Sequence, residues 1–427
     1  MKLKSYDKIR EQVYSGRLAN GLPVFVIPKR GYNKRYAFFA TDYGGADRRF
    51  EYNGRWIDTP EGVAHFLEHK MFETEDGNAL NMLSENGASP NAFTSSDITA
   101  YHFESVDKFE ENLEILLSFV SVPWFTGESV QKEQGIIGQE IRMTEDDPDY
   151  AVYYGLMKSL FEKHPIRDAV AGTVESIAEI TPETLYSCHN VFYNPSNMVL
   201  CVAGDVEPEM ILSAAGKVVT APSGARPKRD YGPEETMAPI SARAESSMAV
   251  SQTIFLLGAK AETAREGVGF LRRGIVGSLA LELLAGHSSP LYMRLYESGL
   301  VDGDFQAAFE SSAGVAYSMA GGNSRDPDAV FGEFRAEAAS FAQNGPDPEL
   351  FARIKKAVYG RLLRSLNSFD GICYNYASGH FRGYDAFDAA DVLDGVTPDD
   401  VSAFVRANLK PDNMAISMVK PTGGSKT

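Results

Sequence analysis

Residues 181–202 read TPETLYSCHNVFYNPSNMVLCV, and residues 397–419 read TPDDVSAFVRANLKPDNMAISMV. Each stretch opens on Thr-Pro and an acid, Thr181-Pro182-Glu183 and Thr397-Pro398-Asp399. Thr is a good N-cap, Pro suits the first helical position, and an acid favours the positive helix end. Each then breaks at a proline, in Asn194-Pro195-Ser196-Asn197-Met198 and in Lys410-Pro411-Asp412-Asn413-Met414, before an apolar run to Val202 or Val419. The pattern predicts a capped helix, a turn and a strand, twice. One offset of 216 residues holds at the Thr-Pro and again at the Pro-x-Asn-Met. A register kept over that distance argues for duplication. The offset is about half of the 427 residues, so we expect two similar α/β domains.

The boundary should lie where composition changes. Ala221 to Pro239 holds Pro222, Pro227, Pro233 and Pro239, with Gly224, Gly232 and the charges of Lys228 to Asp230. This predicts a linker over 221–240 between a first domain at 1–220 and a second at 241–427. Apolar residues make up 44% and charged residues 23%, which excludes a disordered or fibrous chain. The net charge of −17 argues against nucleic acid as a partner, because phosphate backbones are repelled. Three scattered cysteines, Cys188, Cys201 and Cys373, build neither a disulfide scaffold nor a thiolate zinc site. With no signal-like apolar region after Met1 to Val13 and no long apolar run, the chain reads as cytoplasmic, without a membrane partner.

Thr59-Pro60-Glu61 repeats the cap signal and predicts a helix from about Pro60 to about Phe72. On it stands His65-Phe66-Leu67-Glu68-His69. Residues four apart share a helix face, so His65 and His69 can present two imidazoles to one cation. Two nitrogen donors suit zinc. Glu68 is placed to take a proton from a water on that metal. A catalytic zinc needs a third protein ligand and an open position. A helix predicted over Ser129 to Thr144 carries Glu133 and Glu140, two turns apart on one face. Either of them can reach the metal, with the other standing behind it. Leu22 to Pro28, Tyr36 to Asp42 and Asn91 to Glu104 read as strands, and Lys108 to Val120 reads as a helix. His102, His164, His189, His287 and His380 have no second ligand at short spacing and read as surface or core residues.

These residues resemble the pitrilysin-type zinc peptidases, the inverzincins with H-x-x-E-H, which include insulin-degrading enzymes, mitochondrial processing peptidase and half-length bacterial members. The resemblance rests on Asn20-Gly21-Leu22, on Gly62 to His69, on Asn91-Ala92-Phe93-Thr94, on the Glu133 and Glu140 helix, and on the Pro-x-Asn-Met repeats. It implies an α+β fold of two homologous domains. Each is a mainly antiparallel sheet packed with helices, and the assembly is a clam-like dimer around a chamber. It implies one zinc per chain, held by His65, His69 and Glu140. It makes Glu68 the base and matches Glu133 to the earlier Glu of the pair, which stands behind the metal ligands and is a second candidate catalytic residue. It assigns Asn91, Ala92, Phe93 and Thr94 to substrate backbone, bound as an added strand. The implied activity is zinc-dependent endopeptidase action on oligopeptides or small unfolded proteins; the alternative is a non-catalytic peptide-binding or assembly subunit.

One feature departs from that family. Active members carry an Arg, and a Tyr seven residues later, in the second domain. Here Tyr296 stands at the Arg position, and Asp302 or Gly303 at the Tyr position. The departure implies either a heterodimer, in which a homologous chain supplies the pair, or a substitution by Arg294 and a nearby tyrosine such as Tyr317 within a homodimer.

Overall fold

A computed structural model of the protein describes residues 1–264 and 266–422. The chain forms two compact units. In the first, β1 (Lys2–Tyr6), β2 (Glu11–Arg17), β3 (Pro23–Pro28) and β4 (Arg35–Thr41) come first. A separate hairpin, β5 (Arg49–Tyr52) and β6 (Arg55–Asp58), and a two-residue pair, β7 (Glu73–Thr74) and β8 (Gly77–Asn78), precede β9 (Ser89–Thr94), β10 (Thr99–Ser105) and β11 (Met198–Gly204). The main sheet has seven strands in the order β1-β2-β3-β11-β4-β10-β9. All neighbours are antiparallel except β11 on β3. All seven residues of β11, Met-Val-Leu-Cys-Val-Ala-Gly, are buried. That is why this strand reads as a continuous apolar run: it is covered on both faces. β9 is the edge.

The second unit has a five-stranded sheet of β12 (Arg243–Met248), β13 (Thr253–Ala261), β14 (Gln306–Ser312), β15 (Val315–Ser324) and β16 (Met414–Pro421). Its order, β12-β16-β13-β15-β14, repeats β3-β11-β4-β10-β9. The parallel pair β12–β16 falls at the corresponding place. Both copies of the sequence repeat form the expected helix, turn and strand. Pro182–Phe192 and Pro398–Asn408 are helices capped by the side chains of Thr181 and Thr397, and they lead through short 3-10 turns into β11 and β16. The two-domain α+β architecture is therefore as anticipated.

The compact units do not follow the expected bounds at 220 and 241. The first comprises Met1–Ile141, Ala169–Tyr231 and Leu363–Phe387; the second takes Arg142–Asp168, Gly232–Leu362 and the chain from Asp388 onward. The reason is packing. The helix Pro148–Leu160, from the first half of the sequence, lies on β12, β13 and β16 and buries Leu156, Met157 and Leu160 there. The helix Phe369–Phe381, from the second half, lies on β4 and β11. Each sheet thus gets its second covering layer from the opposite half of the chain.

The linker is irregular but anchored. Arg229 reaches Asp42 at 3.2 Å and the buried Asp47 at 2.8 Å, and Tyr231 donates to Asp47, all in the first unit. Glu235 accepts backbone N–H bonds from Glu162, Lys163 and His164 in the second. The three cysteines are buried free thiols. Among the described residues, no helix is long and apolar enough to cross a membrane.

Candidate metal centre

The helix α1 spans Val63–Met71, three residues later than the Thr59-Pro60 signal suggests. Thr59 spends its hydroxyl on the Arg48 carbonyl instead of capping. The start falls at Gly62, in the left-handed region at φ 90°. A Cβ there would stand 2.5 Å from the Ala171 carbonyl, so close approach requires glycine. Val63, Phe66, Leu67 and Met71 face the core. That burial fixes the helix rotation and leaves His65 and His69 half-buried on the other side.

Glu133 and Glu140 lie on the helix Gly127–Glu145. Nε2 of His65 is 3.5 Å from Oε1 of Glu140, and Nε2 of His69 is 3.5 Å from Oε2. The three side chains offer ligand atoms within 4.8 Å of one another. Tetrahedral zinc with ligands at about 2.1 Å spaces them about 3.4 Å apart, so the two measured separations fit an ion between the donors. They are too long for good hydrogen bonds. Nδ1 of His65 is buried without a hydrogen-bond partner. Glu133 is buried and sits elsewhere: its Oε1 is 3.0 Å from Nδ1 of His69. A carboxylate behind a ligating imidazole fixes its tautomer and direction. The alternatives that the spacing left open are thus placed differently, with Glu140 at the donor cluster and Glu133 behind His69.

The charges follow this geometry. The interaction with His65 holds the Glu140 carboxyl below its ordinary range, aided by the charge of His69. Burial alone would lower His69, but the Glu133 hydrogen bond and the charges of Glu68, Glu133 and Glu140 outweigh it and raise its pKa. Burial pushes the Glu68 carboxyl up, against the pull of His65, Thr94 and His69.

The stretch Asn91 to Glu104 is not one strand. It is the hairpin β9–β10, closed by Ser95 N–H donating to the Ile98 carbonyl. No glycine or proline marks this turn in Thr94-Ser95-Ser96-Asp97. Gly45 and Ala46 N–H groups hold it from outside, and Arg382 pairs with Asp97. Asn91 is exposed on the open edge, with its side chain on the Ala92 N–H. Ala92 and Thr94 share one face of β9. Phe93 points to the other, near Phe38, His102 and Tyr374. Thr94 reaches Glu68, a contact that the sequence pattern did not disclose. Lys70, also unread from the sequence, is fully buried beside His69 and pairs with Glu73.

The other histidines are built into the cores or packed among aromatics. His164, His189 and His287 bond backbone carbonyls, His102 lies between Tyr36 and Phe38, and His380 packs on Phe25. Arg294 and Tyr317 are both engaged within the second unit. Arg294 pairs with Glu337 at 2.6 Å, and the buried Tyr317 shares a hydrogen bond with Tyr153. Tyr296 is half exposed and stacks on Tyr292.

Residues 54–174 match the Insulinase (Peptidase family M16) model, and residues 179–358 match the Peptidase M16 inactive domain. An uncharacterized zinc protease of Bacillus subtilis, YmfH, is 37% identical over 426 residues, covering 97% of this chain and 98% of YmfH. The chain belongs to the M16 peptidase family. Another M16 relative, a probable mitochondrial-processing peptidase subunit beta of Arabidopsis thaliana, is 28% identical over 39% of this chain and 34% of its own. A crystal structure from Alicyclobacillus acidocaldarius, described as M16-like, superposes with a TM-score of 0.92 at 34% identity, covering 96% of this chain and 99% of that one. Pitrilysin shares the fold, with a TM-score of 0.79 at 18% identity over 99% of this chain and 46% of its own.

Proposed function

We propose that this M16 chain is a zinc-dependent endopeptidase for oligopeptides or small unfolded proteins. The observation that carries this is the convergence of His65, His69 and Glu140, with Glu68 alongside, next to the open sheet edge of β9. Two imidazoles and a carboxylate suit zinc, which when bound supplies Lewis acidity and brings the pKa of a water to roughly 7. Glu68 takes the proton of the attacking water and returns it to the leaving amine. Glu133 keeps Nε2 of His69 aimed at the donor cluster by holding Nδ1. The peptide backbone joins the unpaired edge of β9 at Asn91, Ala92, Phe93 and Thr94 as an added strand.

The engaged Arg294 and Tyr317 favour completion of the site by a second, homologous chain over a local substitute. The named role of the Arabidopsis relative as a subunit supports the same reading. The test incubates the protein in its native assembly with a mass-resolved peptide pool, with and without a chelator. Cutting is expected, and it is expected to stop on chelation and return with zinc. Cutting that ignores the chelator, or none from a zinc-loaded native assembly, would overturn the proposal. Purification from native cells should recover a sister chain; recovery of this chain alone would remove the heterodimer.

A further inference from the structure

The base and the docking edge meet in one hydrogen bond. Glu68 is only 8% exposed, and a buried carboxylate needs a donor. The Thr94 hydroxyl supplies it, donating to Oε2 at 2.8 Å. Thr94 is paired directly with Thr99 across the hairpin, so both hydroxyls lie on the same face. Thr99 is fully buried and its hydroxyl donates to the Tyr43 carbonyl at 2.9 Å, with Oγ1 of Thr94 3.3 Å away. The Thr99 proton is committed to that carbonyl, which leaves the Thr94 proton for Glu68. The β-branch of Thr94, packed against Thr99, restricts its rotamer. One carboxylate oxygen of Glu68 is therefore tied to the sheet, and Oε1 is left to take a proton. The tie comes from the edge strand itself.

We infer that Thr94 is a positioning residue: its hydroxyl fixes the Glu68 carboxylate and couples the orientation of the base to the edge strand on which a peptide docks. This rests on the endopeptidase reading above and adds to Thr94 a role beyond backbone pairing. Backbone pairing by β9 needs no hydroxyl, so the two roles separate by substitution. Thr94→Val keeps the shape and the β-branch and removes the donor; Thr94→Ser keeps the donor.

Two measurements test this. The first uses the zinc-loaded native assembly and a peptide that it cuts. Thr94→Val is expected to lower kcat roughly ten- to hundredfold, the size of a misplaced group, with KM within about twofold. Thr94→Ser should stay within about threefold of the parent. A raised KM with kcat intact would assign Thr94 to docking alone and overturn the inference. So would equal losses in Val and Ser. The second uses metal-free protein and needs no activity. Thr94→Val and Glu68→Met are combined in a double-mutant cycle read by denaturant midpoint. Thr94→Val should lower the midpoint with Glu68 present and have little effect with Met there. Additive losses would show that the contact does not bind the carboxylate, and would overturn the inference while leaving the endopeptidase reading intact. If the zinc-loaded native assembly cuts nothing, that reading fails and the inferred role falls with it, whatever the cycle gives.

Discussion

The two sheets share a strand plan, yet they use the same helix slot differently. Between β4 and the β9–β10 hairpin stands α1; between β13 and the β14–β15 hairpin stands the helix Val268–Ala285. The second helix buries Leu279, Ala280, Leu281, Leu283 and Leu284, and none of its residues joins a side-chain group that could hold a metal. The nine-residue α1 buries Glu68 and Lys70 among its apolar residues. Among the described residues, the one cluster of side chains that could hold a metal ion lies on α1 and the helix Gly127–Glu145. The second unit shows what the scaffold does when the slot is spent on packing. The first shows the same slot spent on buried charge, which costs stability unless every charge finds a partner. Here the partners are named: Thr94 for Glu68, Glu73 for Lys70, Glu133 for His69.

The largest effect should come from Glu68, the proposed base. Glu68→Gln is expected to keep zinc and to lower turnover by roughly a thousandfold or more, the upper range for a general base. The control is Glu282→Gln on the helix Val268–Ala285, where Glu282 pairs with Arg361. It should leave turnover unchanged. Metal analysis and kinetics on both variants decide this. Wild-type turnover in Glu68→Gln would remove Glu68 from the mechanism.

A smaller effect separates the two glutamates on one helix. Glu140→Gln removes a donor and should weaken zinc binding by more than about a hundredfold, whereas Glu133→Gln removes only the support of His69 and should cost about ten- to hundredfold. Competition against a chelator measures both. Equal losses would reopen the ligand assignment.

Much of this site was legible because helical spacing is local. His65, Glu68 and His69 lie within two turns, and Glu133 and Glu140 lie on one face of one helix. The repeat was legible because capping signals are local too. What was not legible depends on long-range packing. The Thr59 signal lost to Gly62, whose conformation and contact with Ala171 set where α1 begins. The β9–β10 turn lacks punctuation because other loops hold it. The exchange of helices Pro148–Leu160 and Phe369–Phe381 leaves no mark in a linear reading, since an amphipathic helix does not state which sheet it covers.

The next effect is confined to the first unit by two histidines, the buried His189 and the half-buried His380. Burial lowers the pKa values of His189 and His380 to about 4, from 6.5 when unfolded. Between those values the unfolded chain takes up protons that the folded one refuses. Stability is thus present above pH 6.5 and lost as the pH falls toward 4. For His189 the loss at pH 4.5 should be about 2.5 kcal/mol. Both tryptophans, Trp56 and Trp124, belong to the first unit, so their fluorescence reports its unfolding. Denaturant curves at pH 7 and 4.5 should show the loss, and His189→Gln, which keeps a donor for the Val120 carbonyl, should remove that share. An unchanged pH dependence in His189→Gln would refute the assignment.

The smallest effect compares the two copies of the sequence repeat. Thr181 and Thr397 both cap their helices, but only Thr397 forms a reciprocal box, its side chain accepting from the Asp400 N–H while Asp400 accepts from the Thr397 N–H. Asp400 also pairs with Arg272 at 2.8 Å. Removing the Thr397 hydroxyl therefore loosens a carboxylate that two other groups use, whereas removing that of Thr181 frees the Thr184 N–H and gives up side-chain contacts with Thr184 and Glu183. Thr397→Ala should cost about 1–2 kcal/mol and Thr181→Ala about 0.5–1 kcal/mol. Helix circular dichroism follows the former, and tryptophan fluorescence follows the latter in its own unit. The order matters more than the sizes: if Thr181→Ala costs as much as Thr397→Ala, the reciprocal bond adds nothing, and the duplicated segments are energetically as well as structurally alike.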